Sequence, residues 1–343
     1  MIDKKTVAIV LYLIFSAIWA IVIPSNNTQD AVGTTARLIT IYSLLCIIPT
    51  FFDYCYGYRI LLKISALVGI YEILQIVFAR FGILLTTYIP FLPIMEDMNK
   101  DIYILSHFQS GFRFRPYSLL NEPAALCVYL ILPLALIMFK TDKSKKEHIL
   151  AVFLSACCVF SLSATGIMVM AFIWVLYFLN RIKTGVIKRV EIVLLLFVIV
   201  SGIAIICSTD IWTYFMTQAF HGRISMDGLM QSTRFRDLNS ILYNRGLVET
   251  VLGSTLAYNG AYLPGWIRVY YGLGILGVSL FAFYLIGIYK SSDDCQRYTM
   301  LIFMVLNIGT EIMLGGFAIY YLSFMLSYPG VFEGRQGKLS HAL

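Results

Sequence analysis

The chain has 343 residues, of which 59% are hydrophobic and only 13% charged, and 26 basic against 19 acidic residues give it a net charge of +7. About a quarter of the residues of a typical soluble domain are charged, so this composition excludes an ordinary soluble domain. Long apolar runs without strict alternation favour helices over a barrel in a bilayer. We therefore predict an all-α, polytopic integral membrane protein with about ten transmembrane helices in a single domain, 1–343.

Apolar runs near the length of a membrane span recur along the whole chain. The predicted spans are 7–23, 36–52, 60–79, 119–139, 149–163, 165–180, 190–207, 269–289, 299–314 and 317–329. The segment from His148 to Asn180 would be about 50 Å long as one helix, too long for one span. Basic clusters flank it on both sides, and the positive-inside rule puts both in the cytoplasm. We therefore predict a hairpin of two short helices, broken at Ser161 to Gly166.

The same rule places both termini in the cytoplasm and two long segments, 80–118 and 208–268, outside. Ten basic residues then face outward: Arg37, Arg80, Lys100, Arg113, Arg115, Arg223, Arg234, Arg236, Arg245 and Arg268. All but one are arginine, whose planar fork of donors matches phosphate oxygens. This bias predicts an anionic ligand, with phosphate the leading candidate.

Two arginines and a carboxylate stand just ahead of a long apolar run. If the backbone is extended before Pro116, Arg113 and Arg115 point to the same side about 6–7 Å apart, which suits two neighbouring phosphates. Glu122 then lies at the start of a helix, with Pro123 as its first residue. The structural alternative is a basic loop end followed by an acidic residue that complements the helix dipole.

The second outward segment has an amphipathic helical pattern over 232–245. Arg234 and Arg245 fall on its apolar side, about 16 Å apart, where a buried anion and lipid headgroups are both suitable partners. The G-x-G-x-x-G run Gly272 to Gly277 lies in a predicted span, so we interpret it as close helix packing and not as a dinucleotide site. Intramembrane polar residues are functional or structural candidates, and they are Glu72, Gln75 and Glu311.

The cysteines and histidines indicate no metal site. The seven cysteines contain no C-x-x-C pair, and the four histidines contain no H-x-x-x-H pair. We therefore predict no metal and no cofactor.

Three stretches resemble parts of the O-antigen polymerase and ligase superfamily. Gly111–Ala125 is similar to the segment of the family in which a loop leads into a helix. That segment has an arginine, then Glu-Pro or Asn-Pro, then small residues. Ser161–Gly166 resembles its Ser/Thr-rich hairpin, and Thr233–Gly277 resembles its long outer loop with the glycine-rich span that follows. Their order and their sides of the membrane agree with the family.

The resemblance implies a transferase that moves a growing glycan from undecaprenyl pyrophosphate onto a hydroxyl of the next lipid-linked repeat, at the periplasmic face of the bacterial inner membrane. Arginines would stabilise the departing pyrophosphate, and those expected to do so are Arg113, Arg115, Arg268, Arg234 and Arg245. A carboxylate or histidine would take the hydroxyl proton, and the candidates are Glu122, either as the base or as a group that orients an arginine, His221 and Asp237. Tyr117 and Tyr262 are expected to hold sugar rings.

Ligases of the family carry a histidine shortly before the glycine-rich span, and the corresponding stretch here, 259–266, has none. The resemblance therefore favours the polymerase (Wzy) over the ligase. A flippase is the alternative from another class, but the chain has no obvious internal repeat. The expected partners are undecaprenyl-pyrophosphate-linked glycans, membrane lipids and a chain-length regulator in the same membrane, without nucleic acid.

Overall fold

The structure of the chain is a computed structural model that describes residues 4–22, 28–83, 85, 116–120, 122–185, 245–256 and 263–327. All regular elements in this described part are helical. The helices are α1 Lys4–Val22, α2 Thr28–Phe51, α3 Tyr54–Arg80, α4 Pro123–Phe139, α5 Lys145–Phe160, α6 Ala164–Lys183, α7 Leu247–Leu252, α8 Gly265–Ser291, α9 Asp294–Gly309, the 3-10 helix Ile312–Leu314, and α10 Gly316–Leu326. The predicted all-α class is confirmed for these residues.

Five helices, α1, α2, α3, α6 and α8, are long and apolar enough to cross a membrane, and α4 and α10 are shorter apolar helices. The transmembrane character of the chain is therefore confirmed. The predicted span 190–207 lies outside the described residues, as do most of the predicted loops 80–118 and 208–268. The total of about ten spans and the sides of the loops stay predictions.

Local sequence sets where several helices begin. Asp53 precedes α3, and its carboxylate accepts from the Tyr56 N–H at 3.0 Å. Ser144 and Glu147 form a reciprocal capping box at the start of α5, which satisfies two N–H groups that have no partner within the helix. α4 begins with Pro123 directly after Glu122, as predicted.

The predicted break between α5 and α6 is present at Ser161 to Ser163. Leu162 has a φ of 52°, a left-handed conformation that a helix does not continue through. The Ser161 hydroxyl donates to the Cys158 carbonyl at 2.9 Å and accepts from the Ser163 N–H at 3.2 Å. The Trp174 indole donates to the Ser155 hydroxyl at 3.0 Å, so the two helices fold back on each other as a hairpin.

The helices group into two units. The first unit comprises Met1–Phe51, Leu176–Ser291 and Asn307–Leu326, and the second comprises Phe52–Val175, Ser292–Leu306 and Ser327–Leu343. The second unit is built around α4, most of whose residues are buried, as expected of a helix that is apolar all round. In the first unit, the Tyr42 ring of α2 packs edge-on against Phe281 of α8 at 5.2 Å.

Candidate functional site

The start of α8, in the first unit, carries the only arginine–glutamate ion pair within the described part of the chain. The Gly265 N–H donates to the Thr310 carbonyl at 2.8 Å. A Cβ at Gly265 would lie 2.8 Å from that same oxygen, so this close approach requires glycine. The first turn of α8 is therefore held against the turn that joins α9 to α10.

Arg268 lies in that first turn and bridges two segments. Its Nε donates to the Leu256 carbonyl at 3.1 Å, and its Nη1 donates to the Glu311 carboxylate. The Arg268 side chain remains 23% exposed. A guanidinium has five N–H donors, so part of the Arg268 fork has no partner among the described residues.

Glu311 lies on a turn that is fixed from two directions. The Met313 N–H donates to Asn307 Oδ1 at 2.8 Å, and the Met313 carbonyl accepts from the Tyr42 hydroxyl at 3.0 Å. The Glu311 side chain is 29% exposed. These bonds anchor the backbone of the turn, and the Glu311 carboxylate lies beside Arg268.

Arg37 of α2 approaches the same turn. The Nη2 atom of Arg37 lies 3.7 Å from the position that a Cβ atom at Gly315 would occupy. Arg37 is exposed and has no carboxylate partner among the ion pairs of the described residues. Two cations and one carboxylate therefore lie on or beside residues 310–315 of a single unit. We call these three residues, Arg268, Glu311 and Arg37, the arginine cluster.

Arg245 has a different environment, at a break in α8. Gly274 interrupts α8 with φ 64° and ψ −168°, so the carbonyls before it end a helical segment and need other donors. Arg245 donates to the Tyr270 carbonyl at 3.2 Å, to the Tyr271 carbonyl at 2.8 Å and to the Ser254 hydroxyl at 2.6 Å. Its guanidinium also lies over both tyrosine rings, at 5.3 and 5.0 Å. Arg245 therefore caps the first half of α8.

The glycine-rich run permits this arrangement. A Cβ at Gly274 would lie 2.3 Å from the Val251 carbonyl, and one at Gly253 would lie 2.2 Å from the Gly272 carbonyl. The run therefore packs closely, as predicted from its small residues, but against 251–256, and it also breaks its own helix. The Tyr12 hydroxyl donates to the Leu273 carbonyl at 2.7 Å and covers another carbonyl at the break.

The segment that follows Arg113 and Arg115 is described from Pro116 to Leu120 and belongs to the second unit. Gln75 of α3 holds this segment in place. Gln75 Oε1 accepts from the Tyr117 and Ser118 N–H groups at 3.2 and 2.7 Å, and Nε2 donates to the Leu85 and Ser118 carbonyls, both at 3.2 Å. The Tyr117 side chain is buried, with 4% of the residue exposed. Glu122 is exposed and makes no side-chain capping bond. Gln75 is therefore a structural clamp for the chain that leads into α4.

Glu72 lies one turn before Gln75 on α3 and is fully buried. Its carboxylate interacts with the thiols of Cys157 and Cys127. It is enclosed within the second unit, so in this arrangement it is not presented to an external substrate.

Six of the residues predicted for the site lie outside the described part of the structure: Arg113, Arg115, Arg234, His221, Asp237 and Tyr262. The predicted helix 232–245 is represented only by Arg245, which is not helical. No group of three or more metal-ligating side chains occurs among the residues that the structure describes.

Sequence reasoning noted Glu311 but did not rank it among the site residues. A signal was present, because Glu311 is the only charged residue between Arg297 and Glu333. A lone carboxylate in such an apolar stretch needs a cation or a hydrogen-bond donor. Its partner, Arg268, was ranked for phosphate binding.

Comparisons of the chain with protein-family models, with curated proteins and with solved structures give no match. Function must therefore be inferred from the residues themselves and from their placement.

Proposed function

We propose that the protein is a glycosyltransferase that polymerises undecaprenyl-pyrophosphate-linked oligosaccharide repeats into O-antigen or a related surface polysaccharide. In this proposal the reaction takes place at the periplasmic face of a bacterial inner membrane, and a chain-length regulator in the same membrane is an expected partner. Support comes from the five apolar helices, from the arginine bias of the segments predicted to lie outside, and from the arginine cluster.

The observation that carries the proposal is the state of Arg268. It lies at the start of a membrane-length helix, is partly exposed, and has donors left over after its bonds to the residues that the structure describes. Arginine forms strong paired bonds with phosphate oxygens, and a preorganised cation stabilises the charge that develops on a departing pyrophosphate. This chemistry needs no metal ion, because the arginines supply the positive charge.

Other predicted groups keep their proposed roles. Arg113, Arg115 and Arg234 would add phosphate contacts, while His221, Asp237 and Glu122 are candidates for proton transfer. Glu122 is exposed at the start of α4, without a capping bond that would occupy its carboxylate. Tyr262 remains a proposed sugar contact, whereas the buried ring of Tyr117 would need a rearrangement to take that role.

The test is the length distribution of surface lipopolysaccharide on a gel. Cells deleted for the gene are complemented with the wild type, Arg268→Ala, Arg113→Ala or Glu122→Ala. Arg297→Ala is the matched control, because Arg297 is also paired with a carboxylate, Asp294 at 3.1 Å, but belongs to a predicted cytoplasmic segment.

The proposal predicts single repeats on lipid A core in the deleted strain, and a ladder restored by the wild type and Arg297→Ala but not by Arg268→Ala. Bare core with accumulated lipid-linked polymer would indicate a ligase instead. Single lipid-linked repeats held on the inner face would indicate a flippase, and an unchanged ladder would reject all three readings.

A further inference from the structure

Glycan transfer onto a hydroxyl needs a proton acceptor as well as a cation. The carboxylate that the described structure places against Arg268 is Glu311. We propose that Glu311 is the catalytic base that takes the proton from the acceptor hydroxyl, beside the pyrophosphate that Arg268 holds. This role rests on the polymerase proposal and names a residue that the sequence alone did not rank.

The first support is position. Glu311 bonds to Nη1 of Arg268, so a base and an anion-binding group share one location in the first unit. Both side chains are about one quarter exposed, which leaves room for substrate to reach them. A base must lie within hydrogen-bonding reach of its proton, and the departing phosphate must lie beside the attacked carbon.

The second support is rigidity. The turn that carries Glu311 is fixed through Met313 by Asn307 and Tyr42, and Arg268 is fixed through Nε by the Leu256 carbonyl. Positioning of this kind allows a catalytic group to act without a large reorganisation. Arg37 adds a second cation near the turn, at Gly315.

Other carboxylates of the described part are less suitable. Glu147 accepts from Lys140 at 2.7 Å, from Tyr58 at 2.8 Å and from the Ser144 N–H at 2.7 Å, so its oxygens are occupied by structural donors. Glu72 is fully buried. Glu122 is exposed but has no arginine partner among the described ion pairs.

The proposed step follows from the ion pair. The donor's pyrophosphate takes up donors of Arg268, which releases the Glu311 carboxylate from Nη1 of Arg268. The carboxylate accepts the proton of the acceptor hydroxyl, and that oxygen forms a bond to the anomeric carbon. The bond from this carbon to the phosphate oxygen breaks, and its electron pair leaves on undecaprenyl pyrophosphate. The proton then passes from Glu311 to water.

The experiment uses the purified full-length protein in detergent and the lipid-linked repeats that the deleted strain accumulates. Initial rates of polymer formation give kcat and KM for the wild type, Glu311→Gln, Glu311→Asp and the control Asp294→Asn, which makes the same carboxylate-to-amide change in an exposed ion pair. Rates are measured from about pH 3 to about pH 9, a range that includes the ordinary pKa values of carboxylates and histidines. Thermal unfolding reports whether each variant is folded.

General base catalysis contributes about 100- to 10,000-fold. We therefore expect Glu311→Gln to lower kcat at least about 100-fold with KM changed less than about threefold, while Glu311→Asp recovers part of the rate and Asp294→Asn retains all of it. The wild-type rate should fall toward low pH, and the residual rate of Glu311→Gln should lack that fall. If the ion pair were only structural, the residual rate of Glu311→Gln would still fall toward low pH as the wild-type rate does.

Three results would overturn the assignment. A folded Glu311→Gln with nearly wild-type kcat, or one that keeps the acid limb, would reject Glu311 as the base while leaving the polymerase proposal intact. If Glu311→Gln does not fold, the wild type alone decides: a wild-type rate that does not fall toward low pH would reject Glu311 as the base. A folded wild type that makes no polymer would reject the polymerase proposal, and the role of Glu311 with it.

Discussion

Arg245 and Arg268 belong to the same unit and contact the same helix, yet their guanidinium groups are used differently. Arg245 donates to two helix carbonyls and a serine hydroxyl, and its guanidinium lies over the rings of Tyr270 and Tyr271. Arg268 donates to one carbonyl and one carboxylate, and its other donors have no acceptor within the described part of the chain. An arginine whose acceptors are backbone and hydroxyl oxygens of the fold stabilises the fold, whereas a partly exposed arginine that is paired with a carboxylate can exchange that carboxylate for another anion.

The largest expected effect is on catalysis, at Arg268. Arg268→Ala should lower the rate of polymer formation about 100- to 1,000-fold, because a preorganised donor to the developing charge is removed. Its cost in stability should be small, about 0–1 kcal/mol, since the pair is partly exposed. The measurement is the initial rate on lipid-linked repeats, normalised to folded protein.

Arg268→Lys sharpens this prediction. It keeps the charge but loses the planar fork, so we expect a rate between those of the wild type and Arg268→Ala. Equal activity of all three proteins would remove Arg268 from the site.

The second effect is on stability, at Arg245. Arg245→Ala should lower the free energy of unfolding by about 2–4 kcal/mol, because helix-end carbonyls at the Gly274 break lose their donor. Rates normalised to folded protein should stay within about threefold of the wild type. Unfolding in detergent micelles tests this, with Arg37→Ala, an exposed arginine, expected to change stability by less than about 0.5 kcal/mol. Stable but inactive Arg245→Ala would reverse the comparison.

The third effect is on stability, at Gly274, where α8 is interrupted. Gly274→Ala should destabilise the protein by about 2–3 kcal/mol, because alanine is strained at φ 64° and its Cβ would meet the Val251 carbonyl. Gly33→Ala is the matched control, since nothing lies within 4 Å of a Cβ there and alanine favours a helix by about 1 kcal/mol. Equal stabilities of the two variants would show that α8 tolerates continuation through residue 274.

The smallest effect concerns Glu147, a carboxylate that belongs to the fold. Burial by itself raises the pKa of Glu147, but Lys140, the Ser144 N–H and Tyr58 outweigh it and hold that pKa at about 2. A lowered folded-state pKa contributes stability that is fully present above the unfolded value near 4.5 and is lost as the pH falls toward 2.

Glu147→Gln should therefore cost about 1 kcal/mol at neutral pH. It should also flatten the decline in stability between pH 4.5 and 3, as measured by unfolding in detergent micelles across this range. An unchanged pH dependence would mean that other carboxylates cause the decline. Polymer formation should stay at the wild-type rate, in contrast to Glu311→Gln.

Features with local causes were predicted well from the sequence. The start of α4 at Pro123 follows from the tolerance of proline at a first helical position, and the break at Ser161 to Ser163 follows from a polar run in a segment too long for one span. The close packing of the glycine-rich run was also predicted. The break at Gly274 was not, because its donors come from Arg245 and Tyr12, which are distant along the chain.

By itself, the sequence determined that this is a helical membrane protein, where most of its described helices lie, and that arginines concentrate in particular segments. Apolar run length, caps and breakers act over a few residues and can be read from neighbours. Only the tertiary structure decided which arginine is bound by the fold and which is paired with Glu311. Hydrogen-bond partners that are 25 or 43 residues apart are chosen by packing, and no local pattern records that choice.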